Sequence, residues 1–202
     1  KHPLVVAVSS AAPSEGKTTV ATNLAAAMGE SGRRVLLVDA DLRRPLVAQY
    51  THLSGAVGLA EVLVGTVSLT DAVQTLGSSG VDVLAGGGLP PNPGELVASS
   101  HMADVLTEAR VRYDVVVVDT APILAVADAL SLTQLADGLV LVARAGVTSK
   151  ADLARSLETI RNGGGNVFGV VINDVRSRSA HLRDYQYSQE PAPSLAPADS
   201  SG

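Results

Sequence analysis

The sequence predicts an α/β fold, a doubly wound and mostly parallel sheet flanked by helices, with a flexible tail after it. Three observations predict it. Short runs of Val and Leu alternate with helix-period segments along the chain, and strands buried on both faces require such continuous apolar runs. The 46% hydrophobic content comes largely from Ala, Val and Leu, with one Phe and no Trp, which suits an aliphatic interior between two helical layers. At 202 residues the chain is long enough to bury one sizeable core.

The first strand is LVVAVS (4–9), and the turn SSAAPSEGKTT (9–19) joins it to the helical pattern TVATNLAAAMGESG (19–32). RVLLVD (34–39) and VDVLAG (81–86) are the next two strands. GELVASSHMADVLTEAR (94–110) reads as one helix leading into the strand YDVVVVD (113–119). ADALSLTQLA (127–136) precedes the strand GLVLVA (138–143). SKADLARSLETIRNGGG (149–165) ends on a Gly run, a helix stop signal, before the strand VFGVVIN (167–173). From about Arg176 the chain reads RSRSAHLRDYQYSQEPAPSLAPADSSG, rich in Ser, Pro and Ala with no apolar period. The expected organisation is a domain over 1–176 and a flexible, tyrosine-containing tail over 177–202. No internal repeat is present.

Composition narrows the function. Without cysteine there are no disulfides, thiolate metal sites or thiol nucleophiles, which makes a cytosolic setting natural. A net charge of -5 gives no electrostatic footprint for nucleic acid, and the pairs Arg33/Arg34 and Arg43/Arg44 are too short to alter that. No apolar run approaches the roughly 20 residues of a membrane helix, and no signal peptide opens the sequence. Association with a membrane is therefore expected through a partner or a segment outside these residues.

One of only three lysines, Lys17, stands between a glycine and two threonines. Ala11, Ala12, Pro13, Ser14, Glu15, Gly16, Lys17 and Thr18 spell A-x-x-x-x-G-K-T, a phosphate loop with Ala in place of the first Gly, and Thr19 follows. In such a loop successive backbone N–H groups point at a β-phosphate, the lysine reaches the β and γ oxygens, and the threonine hydroxyl ligates Mg²⁺. The following helix contributes its positive end. VDADLRRP (38–45) then sends two carboxylates, Asp39 and Asp41, from the carboxyl end of a buried strand, where open α/β sheets bind ligands. Alternation directs both to one side, where they share Mg²⁺ or divide metal and base work between them. Asp119, ending the run VVVVD, is the expected further holder of Mg²⁺.

This set of motifs resembles the bacterial tyrosine kinases of capsule and exopolysaccharide synthesis. The resemblance rests on the phosphate loop, VDADLRRP, GGGLPPNPGELVAS (86–99) and VVVVDTAP (115–122), and covers residues 4 to about 176. It implies ATP and Mg²⁺ as cofactors and autophosphorylation on C-terminal tyrosines. Lys17 and Thr18 match the phosphate and metal positions, Asp39 the base on the tyrosine hydroxyl, and Asp41 and Asp119 the metal positions. Asn173 and Asp174 fall where related ATPases contact adenine. Tyr185 and Tyr187, in DYQY, are the expected acceptors, a sparser cluster than family tails usually carry. The resemblance further implies a membrane-anchored activator, in the same or a separate chain, at the inner face of the cell membrane, and control of polysaccharide chain length. In the family an E-x-x-R-x-x-R helix that assembles a ring precedes the first strand. It is not among these 202 residues, so the expectation is a piece of a longer protein or a different homo-oligomer.

Two rival functions share these features. A division-site or chromosome-partition ATPase would carry a signature lysine five residues before the phosphate-loop lysine, where this sequence has Ala12. A non-catalytic ATP-binding adaptor of polysaccharide export would show the same phosphate contacts, and phosphotyrosine formation separates it from a kinase.

Overall fold

A computed structural model describes residues 3–77, 79–126 and 128–175. The expected tail, with Tyr185 and Tyr187, lies outside them. In chain order the elements are β1 (Leu4–Ser10), α1 (Lys17–Glu30), β2 (Val35–Asp39), α2 (Val47–Thr51), α3 (Leu59–Leu63), α4 (Leu69–Ala72), β3 (Gln74–Thr75), β4 (Val81–Leu84), α5 (Pro93–Val97), α6 (Ser100–Arg112), β5 (Val115–Asp119), α7 (Asp128–Leu135), β6 (Gly138–Arg144), α8 (Lys150–Asn162) and β7 (Val167–Asn173).

The strands form one sheet in the order β3-β4-β2-β5-β1-β6-β7, parallel throughout except for β3. Each of the six expected strands is present, and the short antiparallel β3 is an addition at the edge. β5 lies between β1 and β2, in register from Leu4 to Val8 with Val115 to Asp119 and from Val35 to Asp39 with the same residues. Chain connections diverge to opposite edges from these three central strands. Their carboxyl ends therefore open a crevice, into which Ser10, Asp39 and Asp119 lead.

The valine runs are buried on both faces because helices cover both. Leu36, Val38, Val116 and Val118 pack with Leu59, Leu84, Met102 and Leu106 on one side. Leu37, Val83, Val115 and Val117 pack with Ala21 and Ala25 of α1 on the other. α1 presents Lys17, Ala21, Ala25 and Gly29 at four-residue spacing as its buried stripe, and small side chains there let its axis lie close to the sheet. A Cβ on Gly29 would stand 2.4 Å from the Ser79 carbonyl oxygen and 2.6 Å from a Val81 methyl. Gly29→Ala would gain about 1 kcal/mol of helix propensity, but overpacking costs about 1–3 kcal/mol. We expect a net loss, read as a lower urea midpoint; a raised midpoint would contradict the tight approach.

The segment expected as one helix over 94–110 is two. Ser99 is extended (φ -73, ψ 160) and its hydroxyl donates to the Leu96 carbonyl at 2.7 Å, so α5 ends and α6 starts afresh. Side-chain bonding of this kind competes with helix continuation. α2, α3 and α4 have four or five residues each, too few for an apolar period to show in sequence.

Candidate active site

The loop after β1 is fastened on three sides. At its base, Ser9 Oγ of β1 donates to the Ala121 carbonyl (2.8 Å), joining the strand end to the segment after β5. The buried Glu15 carboxylate accepts the Ala12 N–H (3.0 Å) and the Thr148 hydroxyl, joining it to the segment after β6. Asn173 Nδ2 donates to the Glu15 carbonyl (3.1 Å), joining it to β7. Gly16 stands at φ 93, and a Cβ there would fall 1.9 Å from Asn173 Nδ2. Only glycine meets both demands, the left-handed backbone and the close approach. Ser14 also has positive φ, 65°. Such alternation is how a loop turns its N–H groups inward as an anion cradle.

α1 starts at Lys17, which puts Lys17 and Thr18 on its first turn, at the positive end of the helix. Lys17 Nζ lies 2.9 Å from Asp41 Oδ2 and 3.4 Å from Asp119 Oδ1. Thr18 Oγ1 donates to Asp119 Oδ2 at 2.6 Å. The structure thus brings together four predicted residues from three strand ends: Lys17, Thr18, Asp41 and Asp119.

Asp39 behaves differently from its neighbour. Its Oδ2 accepts the Val47 N–H at 2.9 Å and its Oδ1 the Asp41 N–H at 3.3 Å, and the side chain is fully buried. Both carboxylates leave one strand end, but Asp39 holds the segment from Asp41 to the start of α2, whereas Asp41 faces Lys17. A cavity of about 360 Å³ beside the loop is lined by Lys17, Thr18, Asp41 and Arg44, among others, but not by Asp39.

Burial sets the electrostatics. Desolvation, reinforced by Asp119, pushes Asp39 up to about 7 against the Val47 hydrogen bond. Desolvation raises Asp119 to about 6, opposed by Lys17 and the Thr18 hydroxyl. Desolvation works to lower Lys17, but Asp119 and Asp41 outweigh it and hold the ammonium above the ordinary lysine value. Three carboxylates around one ammonium leave the cluster with surplus negative charge. Its oxygen donors, Asp41, Asp119 and the Thr18 hydroxyl, are the hard ligands Mg²⁺ takes. Among the described residues no group of three His, Asp or Glu side chains could hold a metal by itself.

Sequence reasoning missed several contributors. Thr148 secures Glu15 from 133 positions away, which no local pattern reveals. Arg144 bonds the Ser14 carbonyl (3.4 Å) and pairs with Asp174 at 2.9 Å. Arg44 and Tyr50 line the cavity, although Arg44 was visible within VDADLRRP. Asn173, expected at adenine, touches the loop backbone and lines a smaller depression with Ser14, Glu15, Gly16, Arg144 and Asp174.

Residues 6–197 match the family model described as CobQ/CobB/MinD/ParA nucleotide binding domain. The chain is 44% identical over 168 residues to the tyrosine-protein kinase YwqD of Bacillus subtilis (strain 168), covering 83% of this chain and 71% of that protein. The chain belongs to the bacterial tyrosine-protein kinases. The solved kinase domain of the Escherichia coli tyrosine kinase ETK superposes with a TM-score of 0.84 at 34% identity, over 96% of this chain and 72% of that one. Full-length Etk of Escherichia coli (strain K12) is 36% identical over 181 residues; the match takes in 90% of this chain and a quarter, 25%, of that protein. As a kinase of this family the chain is an enzyme with a nucleotide-binding core, and the rival reading as a partition-type switch falls away. No helix among the described residues is long and apolar enough to cross a membrane.

Proposed function

We propose that this chain transfers the γ-phosphoryl group of ATP to tyrosine hydroxyls, its own Tyr185 and Tyr187 first, in the control of capsular or exopolysaccharide synthesis. The observation that carries the reading is the Lys17–Asp41–Asp119–Thr18 cluster, of which Lys17, Thr18 and Asp41 line the cavity and Asp119 lies buried behind them. Backbone N–H groups of residues 14 to 18 hold the phosphates. Lys17 exchanges its carboxylate partners for β and γ oxygens as the nucleotide enters. Thr18 and Asp119 hold Mg²⁺, which neutralises phosphate charge when bound, and Asp41, expected as a further ligand, is left to take a proton. Asn173 and Asp174 flank the base.

In the transfer the tyrosine oxygen forms a bond to the γ-phosphorus, the bond from that phosphorus to the ADP oxygen breaks, and ADP leaves. The hydroxyl proton goes to a carboxylate. Asp41 lines the cavity and Asp39 does not, so the cavity-side role falls to Asp41, and Asp39 acts by holding the backbone that presents it. Expected as the base, Asp39 would first have to give up the Val47 N–H. Geometry precedes pKa in choosing between them.

A membrane-anchored activator at the inner face of the cell membrane, and assembly of neighbouring copies, complete the reading. Transfer from one copy to another's tail depends on local concentration, which tethering raises to roughly millimolar. The test is to incubate the chain with labelled ATP and Mg²⁺ beside a Tyr185→Phe, Tyr187→Phe variant. We expect phosphotyrosine in the former and most of it lost in the latter, with ATP binding equal. Undiminished label would move the acceptor to Tyr50 or Tyr113, and no phosphotyrosine at all, activator included, would favour the adaptor.

A further inference from the structure

Besides the phosphate loop, the cavity is lined by two side chains, Arg44 and Tyr50, to which the phosphate site described above gives no role. Residues 41–44 form a tight turn in which the Arg44 N–H donates to the Asp41 carbonyl (3.0 Å) and approaches Asp41 Oδ1 (3.2 Å). The turn leaves the Arg44 side chain exposed at the cavity, without a carboxylate partner among the described residues. Beside it on the wall is Tyr50 of α2, 49% exposed. The Asp39 bond to Val47, the first residue of α2, ties this rim to the acidic cluster.

The rim lies on one flank of the loop only. By strand order the cavity sits toward β2 and β5, while the depression at Asn173 and Asp174 sits toward β6 and β7. A nucleotide whose base takes the Asn173 flank leaves the Arg44 flank to the group that receives the phosphoryl. On that reading of the kinase, we propose that Arg44 and Tyr50 select the acceptor. Arg44 pairs with a carboxylate next to the target tyrosine, and the Tyr50 ring packs against the tyrosine itself. The ligand class is a tyrosyl peptide with a flanking acidic residue. Guanidinium–carboxylate pairing and offset aromatic packing are the two interactions these side chains offer at an exposed wall. The chain's own sequence supplies the ligand, with Asp184 directly before Tyr185.

The test uses the full chain carrying Tyr185→Phe and Tyr187→Phe, so that an added peptide is the acceptor. The peptides are LRDYQYSQE, the sequence of residues 182–190, and the same peptide with asparagine for its aspartate. An exposed charge pair is worth up to about fivefold in affinity. We expect the aspartate peptide to show a KM about fivefold below that of the asparagine peptide. Arg44→Ala should raise the former to the latter and abolish the discrimination, with the loss in peptide KM rather than in the KM for ATP. Tyr50→Ala should weaken both peptides, and Tyr50→Phe neither. Discrimination surviving in Arg44→Ala, an effect on the KM for ATP instead, or Tyr50→Phe behaving as Tyr50→Ala would overturn the assignment. Fluorescence anisotropy of labelled peptide is read in parallel. The same fivefold pattern in Kd without any transfer would uphold the rim and sink the kinase reading; equal Kd values for the two peptides would sink the rim whether or not phosphate moves.

Discussion

Lys17→Met is expected to reduce phosphotyrosine formation by at least about a thousandfold and to destabilise the fold as well. The first effect follows from phosphoryl transfer, which asks a protein mainly for positioning and charge neutralisation; Lys17 is the one ammonium in the cluster. The second follows from the structure. Lys17 is 8% exposed and bridges Asp41 and Asp119, so methionine would leave two carboxylates facing each other with no counter-charge. Breaking one side of a buried pair costs several kcal/mol, on the order of 3. Without the lysine Asp119 is held still further above its ordinary range, so the variant should be weakest at pH 8 and recover part of its stability at pH 6, as the acids take up protons. Urea midpoints at both pH values, beside a phosphotyrosine assay of the folded fraction, check both parts. Wild-type transfer by the variant would remove the phosphate-loop assignment, and a wild-type midpoint at pH 8 would mean that the ion pairs carry no stability.

The second large effect is a dependence of stability on pH set by Asp39 and Asp119. Their folded pKa values of about 7 and about 6 lie above the ordinary 3.8. An acid raised in this way binds more protons folded than unfolded between the two values, so its contribution is present at low pH and lost as pH rises through the window. The ligand-free protein should therefore lose stability as pH is raised from about 4 to about 7, on the order of 3 kcal/mol from Asp39 alone. Asp39→Asn retains an oxygen for the Val47 N–H and removes the titration. It should flatten the upper half of that curve and make the protein more stable than wild type at pH 8. A curve unchanged by the substitution would show that Asp39 titrates normally, and a large loss of stability at every pH would show that its second oxygen, on the Asp41 N–H, matters more than its charge.

These two residues also divide what was legible in the sequence from what was not. Five of the six strands could be read because each is an apolar run largely buried between the helical layers, a requirement that acts residue by residue and leaves its mark locally. β7, expected as buried too, is an edge strand exposed from Phe168 to Ile172, and its run of Val and Ile was legible for its strand propensity alone. The phosphate loop could be read because a left-handed turn in van der Waals contact with Asn173 admits glycine alone, and because a lone Lys–Thr pair after it has few other uses. The split between α5 and α6 could not, since it depends on the Ser99 hydroxyl choosing the Leu96 carbonyl over continuation. Nor could α2, α3 and α4, which are held by the core they pack on rather than by a period of their own.

At the site, sequence determined which side chains gather at the strand ends, because strand order and the crossover rule bring the ends of β1, β2 and β5 together. Only tertiary structure decided what each one faces. Asp39 and Asp41 are two positions apart and chemically identical, yet the first is spent on the backbone of the segment to Val47 and the second meets Lys17. The same holds for Arg44, visible within VDADLRRP but without a partner there, and for Tyr50, an ordinary surface residue in sequence: a four-residue turn and a five-residue helix set them on the wall of the cavity. A side chain's type is written in the chain, but its partner is fixed by distances between segments that meet only after folding, and partners decide charge state and role.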